Sequence, residues 1–128
     1  MALDIAKAIS IFHNIVKIGH GVLHPKNIMF DEDGDVLLTG FGMESLKKYL
    51  SLTSDYSNIS FYTATELSGG NRQKTVGRPT KPADVYSFGI IFYEIISGNY
   101  NYRSLTLPEI RKKFVVENTR PKIPENID

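Results

Sequence analysis

The sequence has no cysteine among its 128 residues. This absence excludes disulfide bonds, thiol catalysis and cysteine-ligated zinc, and it fits an intracellular, cytoplasmic protein. An excess of charge is also missing, since 15 basic and 14 acidic residues leave a formal net charge of +1. No electrostatic field of the whole chain therefore favours nucleic acid or an anionic membrane as a partner.

Long hydrophobic runs are absent as well. No apolar stretch approaches the roughly 20 residues that a membrane-spanning helix needs. Residues 1–12 mix apolar side chains with Asp4 and Lys7, unlike a signal peptide. With 41% hydrophobic and 23% charged residues, the composition is that of one soluble globular domain.

The most hydrophobic stretch, residues 83–97, predicts a central helix. Asp84 and Glu94 are its only charges, and its apolar residues follow helical spacing. Pro82 before it and Gly98 after it are the usual start and stop signals of a helix. Because a helix that is apolar nearly all round is usually buried, we expect the other elements to pack around this one.

A helix and a hairpin are predicted before this stretch. Residues 1–14 carry an apolar stripe at helical spacing. Apolar runs at residues 28–30 and 36–40 flank an Asp33-Gly34 turn, which is the pattern of a β-hairpin. The acidic residues 31–35 lack the ligand spacing of a calcium loop, so we interpret them as a solvated turn.

One more helix is predicted after the central one. Thr106 and Glu109 fit a capping box, with Thr106 as the N-cap. We expect this helix to run to about residue 117, before Arg120-Pro121 and Ile123-Pro124 break it.

Four short motifs resemble the sequence signatures of protein kinases. The segment His20-Gly21-Val22-Leu23-His24-Pro25-Lys26-Asn27 stands where kinases carry the catalytic loop H-R-D-L-x-x-x-N. Gly40-Phe41-Gly42 stands at the position of D-F-G, and Ala64-Thr65-Glu66 stands at the position of A-P-E. Asp84-Val85-Tyr86-Ser87-Phe88-Gly89 resembles the start of the central kinase helix. Each motif alone is weak, but their order and separations make the combined signal specific. The chain resembles the tyrosine-kinase-like branch over essentially its whole length.

The resemblance implies an α+β fold that is mostly α-helical. It would be a partial kinase C-lobe, with helices around a central buried helix and one small β-hairpin. Residues 1–128 would form only this part of the domain. The glycine-rich loop, the strand lysine, the helix-C glutamate and the last helices of kinases have no counterpart in the sequence.

By the same resemblance, two carboxylates that kinases need are missing. A kinase uses one carboxylate to accept the proton of the substrate hydroxyl, and Val22 stands at that position. A second carboxylate holds magnesium on the nucleotide phosphates, and Gly40 stands there. Gly21 also replaces the arginine that in many kinases receives the activation-loop phosphate. The resemblance implies a pseudokinase without catalytic residues, although His20 and Asn27 of the catalytic loop remain.

No cofactor and no metal are expected. Asn27 keeps the secondary magnesium position, but a single neutral amide makes a poor magnesium site. The nucleotide-binding positions Gly40-Phe41-Gly42 are degenerate. Met29, with Ile91 and Ile95, matches the column that lies beneath the adenine in kinases.

Other matching positions are expected to support the scaffold. His20 and Phe41 match residues that stack in the regulatory spine of kinases. Asp84 matches the helix carboxylate that accepts hydrogen bonds from the catalytic-loop backbone. Glu66 matches the glutamate of A-P-E, whose usual arginine partner has no counterpart. Three arginines are candidates to substitute for that partner: Arg72, Arg78 and Arg103.

Two polar loops separate the motifs. Residues 44–63, at the position of the activation segment, are rich in serine, threonine and tyrosine, including Tyr62. Such a loop can be phosphorylated, and an ordinary polar surface loop fits equally well. Residues 69–82 contain basic residues and no acidic one. This loop is either solvated or contacts an acidic partner segment.

The function expected from the sequence is non-catalytic. A kinase-like domain without its carboxylates would bind protein partners in signalling, with no nucleic acid and no membrane span. The alternative is a truncated piece of an active serine/threonine or tyrosine kinase, with ATP and magnesium as cofactors. Val22 and Gly40 weigh against the alternative.

Overall fold

A computed structural model gives the structure of the chain and describes residues 1–42, 61–67 and 79–125. Its regular elements are α1 (Ala2–Val16), β1 (Ile28–Phe30), β2 (Val36–Leu38), α2 (Lys81–Ser97) and α3 (Leu107–Ile110), followed by a π-helical turn at Arg111–Val116. Short 3-10 turns occupy Pro25–Asn27, Thr65–Leu67 and Asn101–Ser104. The predicted mostly helical α+β fold with one small hairpin is confirmed.

The central helix α2 begins two residues earlier than its hydrophobic pattern predicts. Thr80 is the N-cap, and its hydroxyl accepts a hydrogen bond from the backbone N–H of Ala83 at 3.2 Å. Pro82 therefore lies in the first turn of the helix. Backbone N–H groups in the first turn have no acceptor within the helix, so the lack of an N–H at Pro82 costs no helical hydrogen bond. Gly98 ends the helix in the left-handed conformation, with φ of 61°.

Helix α2 is the central helix of the fold, but it is not buried on every side. Val85 is 63% exposed and Phe92 is 42% exposed, whereas the two carboxylates are buried, with Asp84 at 0% and Glu94 at 2%. The physical reason is that both carboxylates bond to groups from other segments, which offsets the cost of burying them. The hydrogen bonds of Asp84 and Glu94, together with the apolar side chains, thus determine which side of the helix faces the core.

Helix α1 and the hairpin form the first of two hydrophobic clusters. Ile5, Ile9 and Leu23 are its buried members. The strands β1 and β2 pair antiparallel, with Ile28 opposite Leu38. Ile28 and Ile95 pack against this cluster and also against the second one, so they join the two halves of the core.

The second cluster lies around aromatic rings. Phe61, Ile90, Ile91, Ile110 and Phe114 are among its buried members. The ring centroids of Phe61 and Phe114 are 5.7 Å apart, so residues 61–67 pack against the turn that follows α3.

The last helix departs from its predicted form. The capping box is confirmed, because the Glu109 carboxylate accepts a hydrogen bond from the Thr106 N–H at 2.7 Å. The α-helix ends at Ile110, however, and residues 111–116 form a wider π-helical turn. The spacing of apolar residues does not distinguish a continued α-helix from a π-helical turn, because either form would keep Phe114 on the buried side.

Within the described ranges, no helix combines the length and the apolar character that crossing a membrane requires.

The substitution Gly19→Ala should destabilise the fold by about 1–3 kcal/mol, because overpacking at a tight contact costs energy of this order. A Cβ at Gly19 would lie 2.4 Å from the carbonyl carbon of Thr80, and a backbone atom cannot move aside as a side chain can. Gly89→Ala is the matched control, since nothing lies within 4 Å of its added Cβ. We expect that control to gain roughly 0.5–1 kcal/mol of helix stability. Urea denaturation of both variants tests this, and an unchanged midpoint for Gly19→Ala would contradict it.

Candidate functional site

The buried carboxylate of Asp84 holds the catalytic-loop segment against α2. One oxygen, Oδ2, accepts the backbone N–H of His20 at 2.6 Å. The other, Oδ1, accepts the backbone N–H of Gly21 at 2.8 Å. The imidazole Nε2 of His13, on α1, lies 2.7 Å from Oδ2. One side chain thus joins α1, the loop and α2.

Glycine at position 21 fits this close approach. Its φ of +83° is a left-handed conformation that other residues adopt at a cost. A Cβ at this position would also lie 2.6 Å from the ring of Pro79. The arginine that many kinases carry here would need both a different backbone conformation and a shift of Pro79.

Val22 and Gly40, which the resemblance matches to the two kinase carboxylates, both lie beside the Asn27 side chain. The amide nitrogen of Asn27 donates to the backbone carbonyl of Val22 at 2.8 Å. A Cβ at Gly40 would lie 2.6 Å from the same amide nitrogen, and φ at Gly40 is +82°. The structure therefore brings Val22, Asn27 and Gly40 together, with the Asn27 side chain filling the space beside Gly40.

Three aromatic rings stack beside this loop. The Phe12 ring centroid lies 5.3 Å from that of His20 and 4.9 Å from that of Phe41, and the centroids of His20 and Phe41 are 6.0 Å apart. Phe41 itself is 41% exposed. The α1 residue Phe12 thus completes a stack for which the sequence indicated only His20 and Phe41.

His20 is a buried ring with unsatisfied nitrogens. It is 2% exposed, and neither ring nitrogen has a hydrogen-bond partner among the described residues, although the Thr39 backbone lies alongside. Burial lowers the pKa of His20 from its ordinary value, and the nearby Asp84 carboxylate only partly opposes this. The imidazole is therefore held in its neutral form.

The residues matched to the adenine floor do not lie on one common surface. Met29 is 53% exposed on the outer side of the hairpin, whereas Ile91 is 3% exposed in the core. Ile28, the neighbour of Met29 on β1, is the strand residue that packs against the same cluster as Ile91. Met29 is open to a ligand, and Ile91 is not.

Arg103 is not the partner of Glu66. Its guanidinium Nε and NH2 donate to the two carboxylate oxygens of Glu94 at 2.8 and 2.7 Å. The fork geometry of the guanidinium matches a carboxylate, which explains why Arg103 is held here. Arg72 and Arg78, the other candidates, lie outside the described residues.

Tyr62 belongs to this ion pair and not to an exposed loop. Its hydroxyl lies 2.9 Å from both Glu94 oxygens, and its side chain is in the core. Burial, together with the hydrogen bond to Glu94, raises the pKa of the Tyr62 hydroxyl. Tyr62 is therefore not the accessible phosphorylation target that the polar-loop pattern suggested. The other hydroxyl residues at 45–60 lie outside the described residues, as does most of the basic loop.

Two side chains of the site escaped the sequence analysis. His13 stands on α1 without any motif around it, and its partner Asp84 is 71 residues away. Glu94 looked like a minor charge on an apolar helix. A buried charge in a hydrophobic helix is itself a signal that a partner exists, because such a charge is rarely buried alone.

Comparison with known proteins identifies the family of the chain. The profile of the protein tyrosine and serine/threonine kinase family matches residues 1–128, the whole chain. This chain belongs to the protein kinase family. The predicted kinase resemblance is thereby confirmed.

Individual relatives are of several kinds. An inactive leucine-rich repeat receptor-like serine/threonine-protein kinase of Arabidopsis thaliana is 29% identical over 105 residues, which cover 82% of the chain and 15% of the relative. Atrial natriuretic peptide receptor 2 of Homo sapiens is 33% identical over 131 residues, covering 98% and 12%. Integrin-linked protein kinase 1 of Arabidopsis thaliana is 31% identical over 126 residues, covering 94% and 26%. The chain spans about a quarter or less of the length of these curated relatives.

Replacing Asp84 by alanine should strand the buried N–H groups of His20 and Gly21, at a cost of about 1–3 kcal/mol for each donor. The expected result is a clear fall in the midpoint of urea denaturation. Glu32→Ala, which removes an exposed carboxylate from the hairpin turn, should leave the midpoint nearly unchanged. Equal midpoints for the two variants would contradict the anchoring role of Asp84.

Stability should fall as the pH drops below about 6.5, the ordinary pKa of histidine. Because the pKa of His20 is lowered in the folded state, the unfolded chain takes up a proton first, and acid therefore favours unfolding. His24, whose pKa is also lowered by burial, acts in the same direction. The measurement is the free energy of unfolding from pH 7.5 to 5, with His20→Phe as a variant that keeps the ring but not the proton. Identical pH slopes for the two proteins would contradict the assignment to His20.

Proposed function

We propose that this chain is a catalytically deficient protein-kinase-like domain that acts in the cytoplasm as a signalling module and binds other proteins. The observation that carries the proposal is the chemistry at Val22 and Gly40. Neither residue can bind a proton or a metal ion, and phosphoryl transfer depends on carboxylates in both roles.

The surroundings of Gly40 support the proposal, because they oppose a carboxylate side chain at this position. A carboxylate there would have to displace the Asn27 amide, which already donates to Val22. It would also have to adopt a φ of +82°, a left-handed conformation that glycine adopts more readily than a residue with a side chain. Restoring an aspartate at this position alone would therefore disturb the loop that it is meant to complete.

Exposed apolar side chains support the binding role. On α1, Ile11 is 59% exposed and Ile15 is 74% exposed, one turn apart on the same face. On the hairpin, Met29 and its cross-strand partner Leu37 are 53% and 48% exposed. Contiguous apolar surface of this kind is typical of protein contact areas.

The alternative is that the chain is a piece of an active serine/threonine or tyrosine kinase. Retention of Asn27 and His20 favours it, and so do relatives whose names describe kinases without the word inactive. In that case ATP and magnesium would be bound with the help of residues outside this chain. Under the main proposal, the domain needs no cofactor.

The full-length protein should show no phosphoryl transfer. Incubation with labelled ATP, magnesium or manganese and generic protein substrates should give no incorporation above a buffer control. The double substitution Val22→Asp with Gly40→Asp should not restore transfer, because a side chain at position 40 would displace the Asn27 amide that binds the Val22 carbonyl. Time-dependent incorporation that is lost in Asn27→Ala would overturn the proposal and favour the alternative.

A further inference from the structure

We propose that a cleft at the far end of α2 binds a phosphomonoester whose molecule also carries an aromatic ring, such as a phosphotyrosine side chain. The cleft has a volume of about 530 Å³, within the range of small-ligand sites. It lies away from the catalytic loop, and it is formed by the end of α2, the segment after it, the π-helical turn and residues 119–124.

The charge of the cleft is of one sign. Lys113, Arg120 and Lys122 line it, and across the described parts of the chain the lining includes no carboxylate. None of the three cations takes part in an ion pair within those same ranges. Glu109 lies one turn before Lys113, but its carboxylate is bonded to the N–H and hydroxyl of Thr106.

Among the described residues, Arg120 is held in place by groups that carry no negative charge. Its NH1 donates to the backbone carbonyl oxygens of Phe114 at 3.1 Å and Thr119 at 2.8 Å. Its guanidinium carbon lies 5.5 Å from the ring centre of Tyr86. These contacts position the side chain without supplying a negative charge, and a preorganised guanidinium suits a phosphate.

Aromatic rings supply the apolar wall. Tyr93 and Tyr102 line the cleft with ring centroids 6.3 Å apart, tilted by 55°. The ammonium of Lys113 lies 5.4 Å from the centre of the Tyr102 ring. Burial raises the pKa of the Tyr102 hydroxyl, so this group stays protonated and can donate to an anion.

Together these features favour an aromatic phosphomonoester over other anions. A phosphomonoester carries a charge of about −1.5 to −2 and three acceptor oxygens, which can be shared among several cations. A simple carboxylate would use fewer of the donors. The concave shape and the two tyrosine rings fit a planar aromatic group, whereas a membrane surface would call for a flat basic face.

The test is isothermal titration of the chain with N-acetyl-phosphotyrosine amide, with the unphosphorylated compound, and with adenosine monophosphate. We expect saturable binding of at least one phosphorylated probe, no binding of unphosphorylated tyrosine, and weakening as salt is raised from about 0.05 M to about 0.5 M. Binding of phosphotyrosine alone indicates a phosphoprotein as the source, and binding of adenosine monophosphate alone indicates a nucleotide.

The matched variants are Lys113→Gln with Lys122→Gln, and Lys112→Gln as the control. Lys112 is adjacent to Lys113 and exposed, but it does not line the cleft. The double variant should lose about tenfold or more in affinity, and the control should lose almost none. Absence of binding to both phosphorylated probes, or equal weakening in the double variant and the control, would overturn the proposal.

Discussion

The buried carboxylate of Asp84 is the constraint on which the rest of the structure depends. A fully buried charge is tolerated only when polar groups surround it, and here the groups come from two distant segments. The loop supplies the N–H groups of His20 and Gly21, and α1 supplies the imidazole of His13. All three groups bond to the same carboxylate, so a shift of α1 or of the loop away from α2 would leave the buried Asp84 with fewer hydrogen bonds. This shared carboxylate couples α1, the loop and α2.

Glu94 has the corresponding role roughly three turns further along the same helix. Its carboxylate joins Tyr62, from the segment before α2, to Arg103, from the segment after it. Helix α2 thus carries one buried carboxylate for each hydrophobic cluster of the core. This explains why a helix with so many apolar residues turns its charges inward and leaves Val85 and Phe92 exposed.

The same arrangement holds the loop without a carboxylate at position 22 or 40. Asp84 contacts the loop through the backbone N–H groups of His20 and Gly21, and these two hydrogen bonds do not involve the side chain at position 22. Asn27 binds the Val22 backbone carbonyl, another contact that is independent of the side chain. The hydrogen bonds that hold this loop therefore need no carboxylate at positions 22 and 40.

Much of the fold could be predicted from the sequence because it rests on local signals. The Gly98 stop, the Asp33-Gly34 turn and the Thr106 capping box each depend on neighbouring residues, and all three are present. The family motifs also indicated the family, which the family profile confirms. The contacts that could not be predicted are long-range, such as His13 with Asp84 across 71 positions and Tyr62 with Glu94 across 32. Single-sequence periodicity carries no information about such pairs, because it reports only which side of an element is apolar. It therefore gave no sign that Glu94 is buried and paired, and the polar composition of residues 44–63 indicated a surface loop that includes Tyr62.

Amide hydrogen exchange at His20 and Gly21 tests the central claim most directly. If the buried Asp84 carboxylate holds both N–H groups, they open only when the core opens, and they should exchange as slowly as the α2 amides of Ile90 and Ile91. The amide of the exposed residue Glu32 provides the fast reference. Exchange of His20 and Gly21 as rapid as that of Glu32, with Ile90 and Ile91 still protected, would contradict the account.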